Sequence, residues 1–283
     1  PHSPMQVPEP WWVKFEDNDL PLRAREDQQE NLSHSQAALA MCENIDWNVG
    51  RLMKKLDDLE IADNTIVIYF SDNGPNGYRW NADMKGRKGS VEEGGVRSPF
   101  FIRWPGKIKS GTKTDTIAGS IDLKATLTDL AGIKNTGTLP MDGVSLKPLL
   151  MQTGEDWPDR LYINHFKERT SVRSQQFRLG FEGRLFDMHA DPGQRIDVKD
   201  KHPEVYKKLL AAQKKFEREV VSELPEGPDE RPFVIGHPEL TFTQLPARDA
   251  IATGDIERSG RAPNCSFYMN WSNKDDTIYW DAD

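Results

Sequence analysis

Apolar residues recur at three- and four-residue intervals between positions 32 and 61: Met41, Ile45, Val49, Leu52, Leu56 and Leu59. That spacing predicts one amphipathic helix with this stripe turned inward and Ser33 or Ser35 as its N-cap. "ADN" at 62–64 ends it, and "TIVIYF" at 65–70 follows as a β-branched run without polar alternation. Such a run predicts a short strand covered on both faces. A second strand is expected at "FFIRW", residues 100–104, stopped by Pro105 and Gly106. Next comes a helix with Asp122 capping it and Leu123, Leu127 and Leu130 at helical spacing, then "MDGVSLKPLL" as a turn and short helix. Strands and helices in alternation predict an α/β fold.

The texture changes near residue 151. "LYINHF", "TSVRSQQFRLGFE" and "RLFDMHADPGQ" are short strand-like runs joined by polar turns, which predicts an antiparallel sheet. "PEVYKKLLAAQKKFEREVVSEL" predicts one helix with Val205, Leu209, Ala212 and Phe216 inward. Three regions are therefore expected: residues 1–150 as α/β, residues 151–225 as a smaller α+β subdomain, and residues 226–283 as a linker with a β-rich extension. Within the first, residues 1–30 read as a Pro-rich loop wrapping a surface.

Bulk composition narrows the classes. The chain has 283 residues, 36% hydrophobic, with a net charge of −8. That length allows a sizeable core, and the acidic balance argues against a nucleic-acid partner. No segment reaches the roughly 18 apolar residues of a membrane span. The two cysteines, Cys42 and Cys265, have neither metal-site spacing nor a disulfide framework. Cys42 is expected as a small buried hydrophobe in a helix and Cys265 at a strand entry. The chain opens without Met and stops within a strand pattern, so a piece of a longer protein is expected.

The stretch "YFSDNGPNGYRWNADMKGRKGSVEEGGVRSP" at 69–99 is the most informative. Asn73-Gly74 would normally signal a hairpin, yet no apolar run follows within the two to five residues a hairpin needs. The carboxyl end of a strand in an open α/β sheet is where ligands bind. There Asp72 and Asn73 offer a carboxylate and an amide oxygen, hard donors suited to Ca²⁺ or Mg²⁺. Spacing alone leaves a metal site and a structural turn both open. Downstream, Lys88 lies between Gly86 and Gly89, which would let backbone approach a bound group while an ammonium meets an oxyanion. Glu92 or Glu93 with Arg97 is expected as an ion pair fixing the loop.

"YFSDNGP", "GRKGSVEEGGVRSPFFIRWPGKI", "SIDLKATLTDLAGI" and "MDGVSLKPLL", in that order, resemble the second half of a type I sulfatase of the arylsulfatase-like group. "PHSPMQVP" at the start resembles that family's PHxPxxxP segment, and "LFDMHADPGQRIDVKDKHPEV" is similar to its C-terminal subdomain. The resemblance covers about residues 1–220. It implies part of an alkaline-phosphatase-like mixed sheet flanked by helices, with a smaller C-terminal α+β subdomain. It also implies hydrolysis of sulfate esters at a Ca²⁺ site.

Carried over residue by residue, Asp72 and Asn73 match two calcium ligands, and Lys88 matches a lysine on the sulfate and ester oxygens. His2 matches a histidine that contacts sulfate and protonates the leaving alcohol. His165 falls where the family often has a histidine facing the pocket, although a sheet-edge role fits it equally. The family's nucleophile is a formylglycine made in a C/S-x-P-x-R motif, and no Cys or Ser of this chain stands in one. It is expected in an upstream part, with an early Asp-Asp pair and a first Lys and His, so this chain alone is expected to bind Ca²⁺ poorly and turn over nothing. The implied partner is a sulfated small molecule or sulfated glycan, and the implied location is periplasmic or extracellular. A phosphodiesterase or phosphonate hydrolase of the same superfamily is one alternative. A carbohydrate-binding protein using Trp271 and Trp280 is another.

Overall fold

The structure is a computed structural model and describes residues 5–25, 29–134, 137, 139–154, 157–224, 235–236, 238–239, 241–259 and 266–281. Residues 1–222 form one compact unit and residues 223–283 another.

The first unit opens with helix α1 (Glu9–Trp12), whose Trp11 ring meets Trp47 of α2 (Leu32–Asp58) edge-on at 5.2 Å. Asn31 caps α2, its side chain accepting from the His34 amide at 2.9 Å. Neither Ser33 nor Ser35 does so: both lie inside the helix, and the Ser35 hydroxyl donates to Glu30 at 2.6 Å. The stripe also departs from expectation: the buried residues of α2 are Ser35, Gln36, Ala37, Ala38 and Ala40, while Leu52 and Leu59 are exposed. Small side chains let the first turns approach their neighbours closely. Cys42 is exposed, and Cys265 lies outside the described residues.

Strands β1 (Val67–Phe70) and β2 (Phe100–Arg103) pair antiparallel, Phe70 opposite Phe100. The expected cover on both faces of β1 is not found: Tyr69, Phe70, Phe100 and Phe101 are all exposed. Among the described residues these two strands form a sheet by themselves, so no flanking strand or helical layer closes over their aromatic rings. Between them lies the short helix α3 (Glu93–Val96). Helices α4 (Asp122–Leu130) and α5 (Lys147–Met151) follow.

Asp122 opens α4 fully buried and gathers three segments. Its carboxylate accepts from the Gly119 amide at 3.0 Å, the Val144 amide at 2.9 Å, Arg160 at 2.8 Å and the Tyr162 hydroxyl. Burial pushes the Tyr162 phenol up, and the neighbouring carboxylate pushes it further. This acid ties the α4–α5 segment to the small sheet beyond it.

That sheet has four antiparallel strands in sequence order: β3 (Tyr162–Phe166), β4 (Arg169–Arg173), β5 (Phe177–Leu179) and β6 (Leu185–Asp187). Alternation along the strands gives it two faces. Val172, Phe177, Leu179 and Leu185 form the core with Leu209 of α6 (Pro203–Glu219), joined by Ile163, Val205 and Ala212. Pro203 starts α6 where a missing amide costs nothing. The other face carries Asn164, Ser171, Arg173 and Arg178. Among the described residues of the second unit the strands are two residues long: β7 (Ile251–Ala252) with β10 (Ile278–Tyr279), and β8 (Glu257–Arg258) with β9 (Tyr268–Met269). There Trp271 is exposed, while the Trp280 indole donates to the Pro246 carbonyl at 2.9 Å.

Candidate active site

Because Phe70 and Phe100 are partners, residues 71–99 leave and re-enter the β1–β2 pair at one point. The loop folds on itself around Gly94 and Gly95. The Gly74 amide donates to the Gly95 carbonyl at 2.9 Å, the Lys88 amide to Pro75 at 2.9 Å, and the Gly94 amide to Lys85 at 2.7 Å. A Cβ on Gly74 would stand 1.8 Å from the Gly94 carbonyl oxygen, and one on Gly95 would stand 2.6 Å from the carbonyl oxygens of Arg87 and Ser90. No side chain fits at either position. Segments 74–75, 85–90 and 94–95 therefore pack backbone to backbone, which is the use this loop has for its glycines.

That packing ties together the backbone segments that carry Asp72, Asn73 and Lys88. Exposed Asp72 and half-buried Asn73 come directly before Gly74, at the carboxyl end of β1. Lys88 is half-buried in the turn between Gly86 and Gly89, which take φ values of 91° and 84°. The Lys88 backbone is hydrogen-bonded to Pro75, three residues on from Asp72. Its neighbours stack on aromatic rings, Arg87 over Tyr78 at 4.4 Å and Lys85 over Phe186 at 6.0 Å. His2 lies outside the described residues.

His165 is not brought to this loop. Its ring hydrogen-bonds Thr170 at 2.9 Å and lies 6.1 Å from Phe216, on the α6 side of the sheet. The adjacent Phe166 takes the loop side, its ring 3.8 Å from where a Gly89 Cβ would be. A one-residue step along a strand reverses the face.

Beneath the loop lies a buried polar network that the sequence reading only glimpsed. The Glu93 carboxylate accepts from Arg178 at 2.8 Å and Arg173 at 3.3 Å, with Arg97 at 3.5 Å. The expected Glu93–Arg97 pair is thus its outermost part. Arg178 also donates to the Val91 carbonyl and the Ser171 hydroxyl, each at 2.9 Å, and Ser171 donates to the same carbonyl at 2.6 Å. The Glu93 amide donates to the buried Gln194 side chain at 2.9 Å. Burial pushes the Glu93 carboxyl up, but Arg178 and Arg173 outweigh it and hold the group below its ordinary value. The available signal was "RTSVR" at 169–173, where polar residues alternate, but such a pattern ordinarily marks a solvent face.

Asp72 and Asn73 together give two hard oxygen donors, a partial shell for a cation that takes six to eight. Among the described residues no three of His, Cys, Asp and Glu gather to hold a metal, and no helix is long and apolar enough to cross a membrane.

Comparison with known proteins decides the family. A Sulfatase family model matches residues 1–133, and an N-sulphoglucosamine sulphohydrolase C-terminal model matches residues 87–219. The chain belongs to the sulfatase family. It is 32% identical over 202 residues to an N-acetylgalactosamine-6-O-sulfatase of Bacteroides thetaiotaomicron, covering 58% of this chain and 39% of that protein. It is 32% identical over 209 residues to arylsulfatase A of Bos taurus, covering 61% of this chain and 41% of that one. It therefore spans about two fifths of the length of these relatives. Its fold is the α/β fold of solved sulfatases. The structure of Ps i-CgsB in complex with k-i-k-neocarrahexaose superposes with a TM-score of 0.63 at 24% identity, covering 76% of this chain and 48% of that one.

Proposed function

We propose that this chain carries part of the active site of a sulfatase that hydrolyses sulfate esters of a carbohydrate or an aryl alcohol. The supporting observation is the loop that ties the carboxyl end of β1 to the Lys88 turn through Gly74, Pro75 and Gly95. In this reading Asp72 and Asn73 hold a hard divalent cation, Ca²⁺ ahead of Mg²⁺, through their side-chain oxygens. Such a cation would supply positive charge for the oxygens of the sulfate group. Lys88 donates to a sulfate oxygen and to the ester oxygen, where negative charge grows as the S–O bond breaks. His2 donates the proton that the departing alkoxide needs.

The formylglycine nucleophile and the remaining cation ligands are assigned to sequence that this chain does not contain. His165, packed on the α6 side, reaches substrate in this reading only if that edge of the sheet turns. The enzyme works in the periplasm or outside the cell, where sulfated glycans are met. The test is a paired assay, on protein that includes this chain, with an aryl sulfate and an aryl phosphodiester in the presence of Ca²⁺. Sulfate release that a chelator abolishes is the expected result. Preferential cleavage of the phosphodiester would replace this reading with the phosphodiesterase one, and saccharide binding without turnover of either would replace it with the binding-protein one.

A further inference from the structure

Gly94 and Gly95 sit at the meeting point of the two halves of the candidate site. The 72–75 segment lies on one side, through the Gly74–Gly95 hydrogen bond, and the 85–90 turn lies on the other, through the Lys85–Gly94 bond. Neither glycine has a side chain with which to anchor itself. The residue immediately before them does: Glu93 is 5% exposed, and its main partner, Arg178, is 2% exposed. Arg178 reaches Glu93 through two of its nitrogens and spends the third on Val91 and Ser171. Both nitrogens donate to one oxygen, Glu93 Oε2, and with the third nitrogen held by Val91 and Ser171 the plane of the guanidinium is fixed, so the contact has a direction as well as a distance. Gln194 holds the Glu93 backbone from another side.

We propose that Glu93 and Arg178 are positioning residues. Their buried pair seats the Gly94–Gly95 hub on the polar face of the small sheet and so fixes where Lys88 stands relative to Asp72 and Asn73. The small subdomain then sets the spacing of the groups on the α/β side. Neither residue touches the reacting atoms. The inference rests on the sulfatase reading for its functional consequence, but its mechanical half stands on the geometry alone.

Two readouts keep those halves apart. The first needs no turnover and is made on protein that includes this chain. Glu93→Gln is expected to speed amide hydrogen exchange in residues 85–96 by at least about tenfold while residues 161–187 and α6 stay within about twofold. The second uses protein that includes this chain and releases sulfate. There Glu93→Gln is expected to lower kcat on the order of 10²-fold with KM within about threefold, as displacement of a bound-state geometry does. The Glu93→Gln/Arg178→Gln double variant is expected to fall no lower than the worse single, since the pair acts as a unit. Should Glu93→Gln not fold, Arg178→Lys keeps the charge, loses the fork and takes both measurements. Unchanged exchange in 85–96, a uniform rise throughout 161–219, or a change in KM alone overturns the inference. If the parent releases no sulfate while the exchange result holds, the sulfatase reading fails and the positioning of the loop stands.

Discussion

The two faces of the β3–β6 sheet differ in what holds them against their neighbours. Toward α6 it presents Val172, Phe177, Leu179 and Leu185, and the side chains packed against them are mostly apolar, among them Leu209, Val205, Ala212 and Tyr206. Toward the 85–97 loop it presents Ser171, Arg173 and Arg178 beside Phe186, and the polar three are met by the Glu93 carboxylate and the Val91 carbonyl while Lys85 lies over the Phe186 ring. The apolar face gains stability from area removed from water, without much demand on direction. The ionic face gains little net stability, because desolvation offsets attraction, but its pairing has one geometry. A fold that needed only to be stable would use the first kind on both sides. The second kind sits under the loop that carries Lys88.

The sharpest way to break this comparison is to strand the charges. Glu93→Ala leaves Arg178 and Arg173 buried without their carboxylate, and a loss of about 3–5 kcal/mol in urea-unfolding free energy is expected. On the apolar face, Leu179→Ala opens a cavity beside Leu209 and is expected to cost about 3 kcal/mol while leaving exchange in residues 85–96 at the parent rate.

Acid should tell the faces apart by sign. Glu93 is held below its ordinary value of 4.5, so its contribution is present above that pH and lost as pH falls through the lower folded value. Unfolding measured as pH is lowered below 4.5 is therefore expected to steepen for the parent and for Leu179→Ala, and to flatten for Glu93→Gln. The smallest effect belongs to the exposed Lys208–Asp159 pair at 2.6 Å on the outer side of α6. Lys208→Ala is expected to stay within about 0.5 kcal/mol of the parent by thermal unfolding.

The apolar face was legible in the sequence, because Val205, Leu209 and Ala212 recur at helical spacing and the strands between turns are short and branched. The ionic face was not. Arg178 stands in "QQFRLG" with nothing local to say that its partner lies at position 93, and long-range pairing leaves no mark on periodicity. The α2 stripe departs for a related reason: Met41, Ile45, Val49 and Leu56 are half-buried and Leu52 and Leu59 are exposed, whereas Ala37, Ala38 and Ala40 are the buried apolar residues of the helix. The β1–β2 pair shows the limit from the other side, since its composition asks for cover that the described residues do not supply. For the candidate site, residue types at 72, 73 and 88 suggest a chemistry. The backbone interlock through Gly74, Pro75 and Gly95 that gathers them appears only in three dimensions.

The most direct test of the account is the turnover number for an aryl sulfate, with saturating Ca²⁺, of protein that includes this chain, comparing Lys88 with Lys88→Ala. If the ammonium stabilises charge on the departing oxygen, kcat falls on the order of 10²–10³-fold. An unchanged kcat would contradict the assignment of this loop to catalysis.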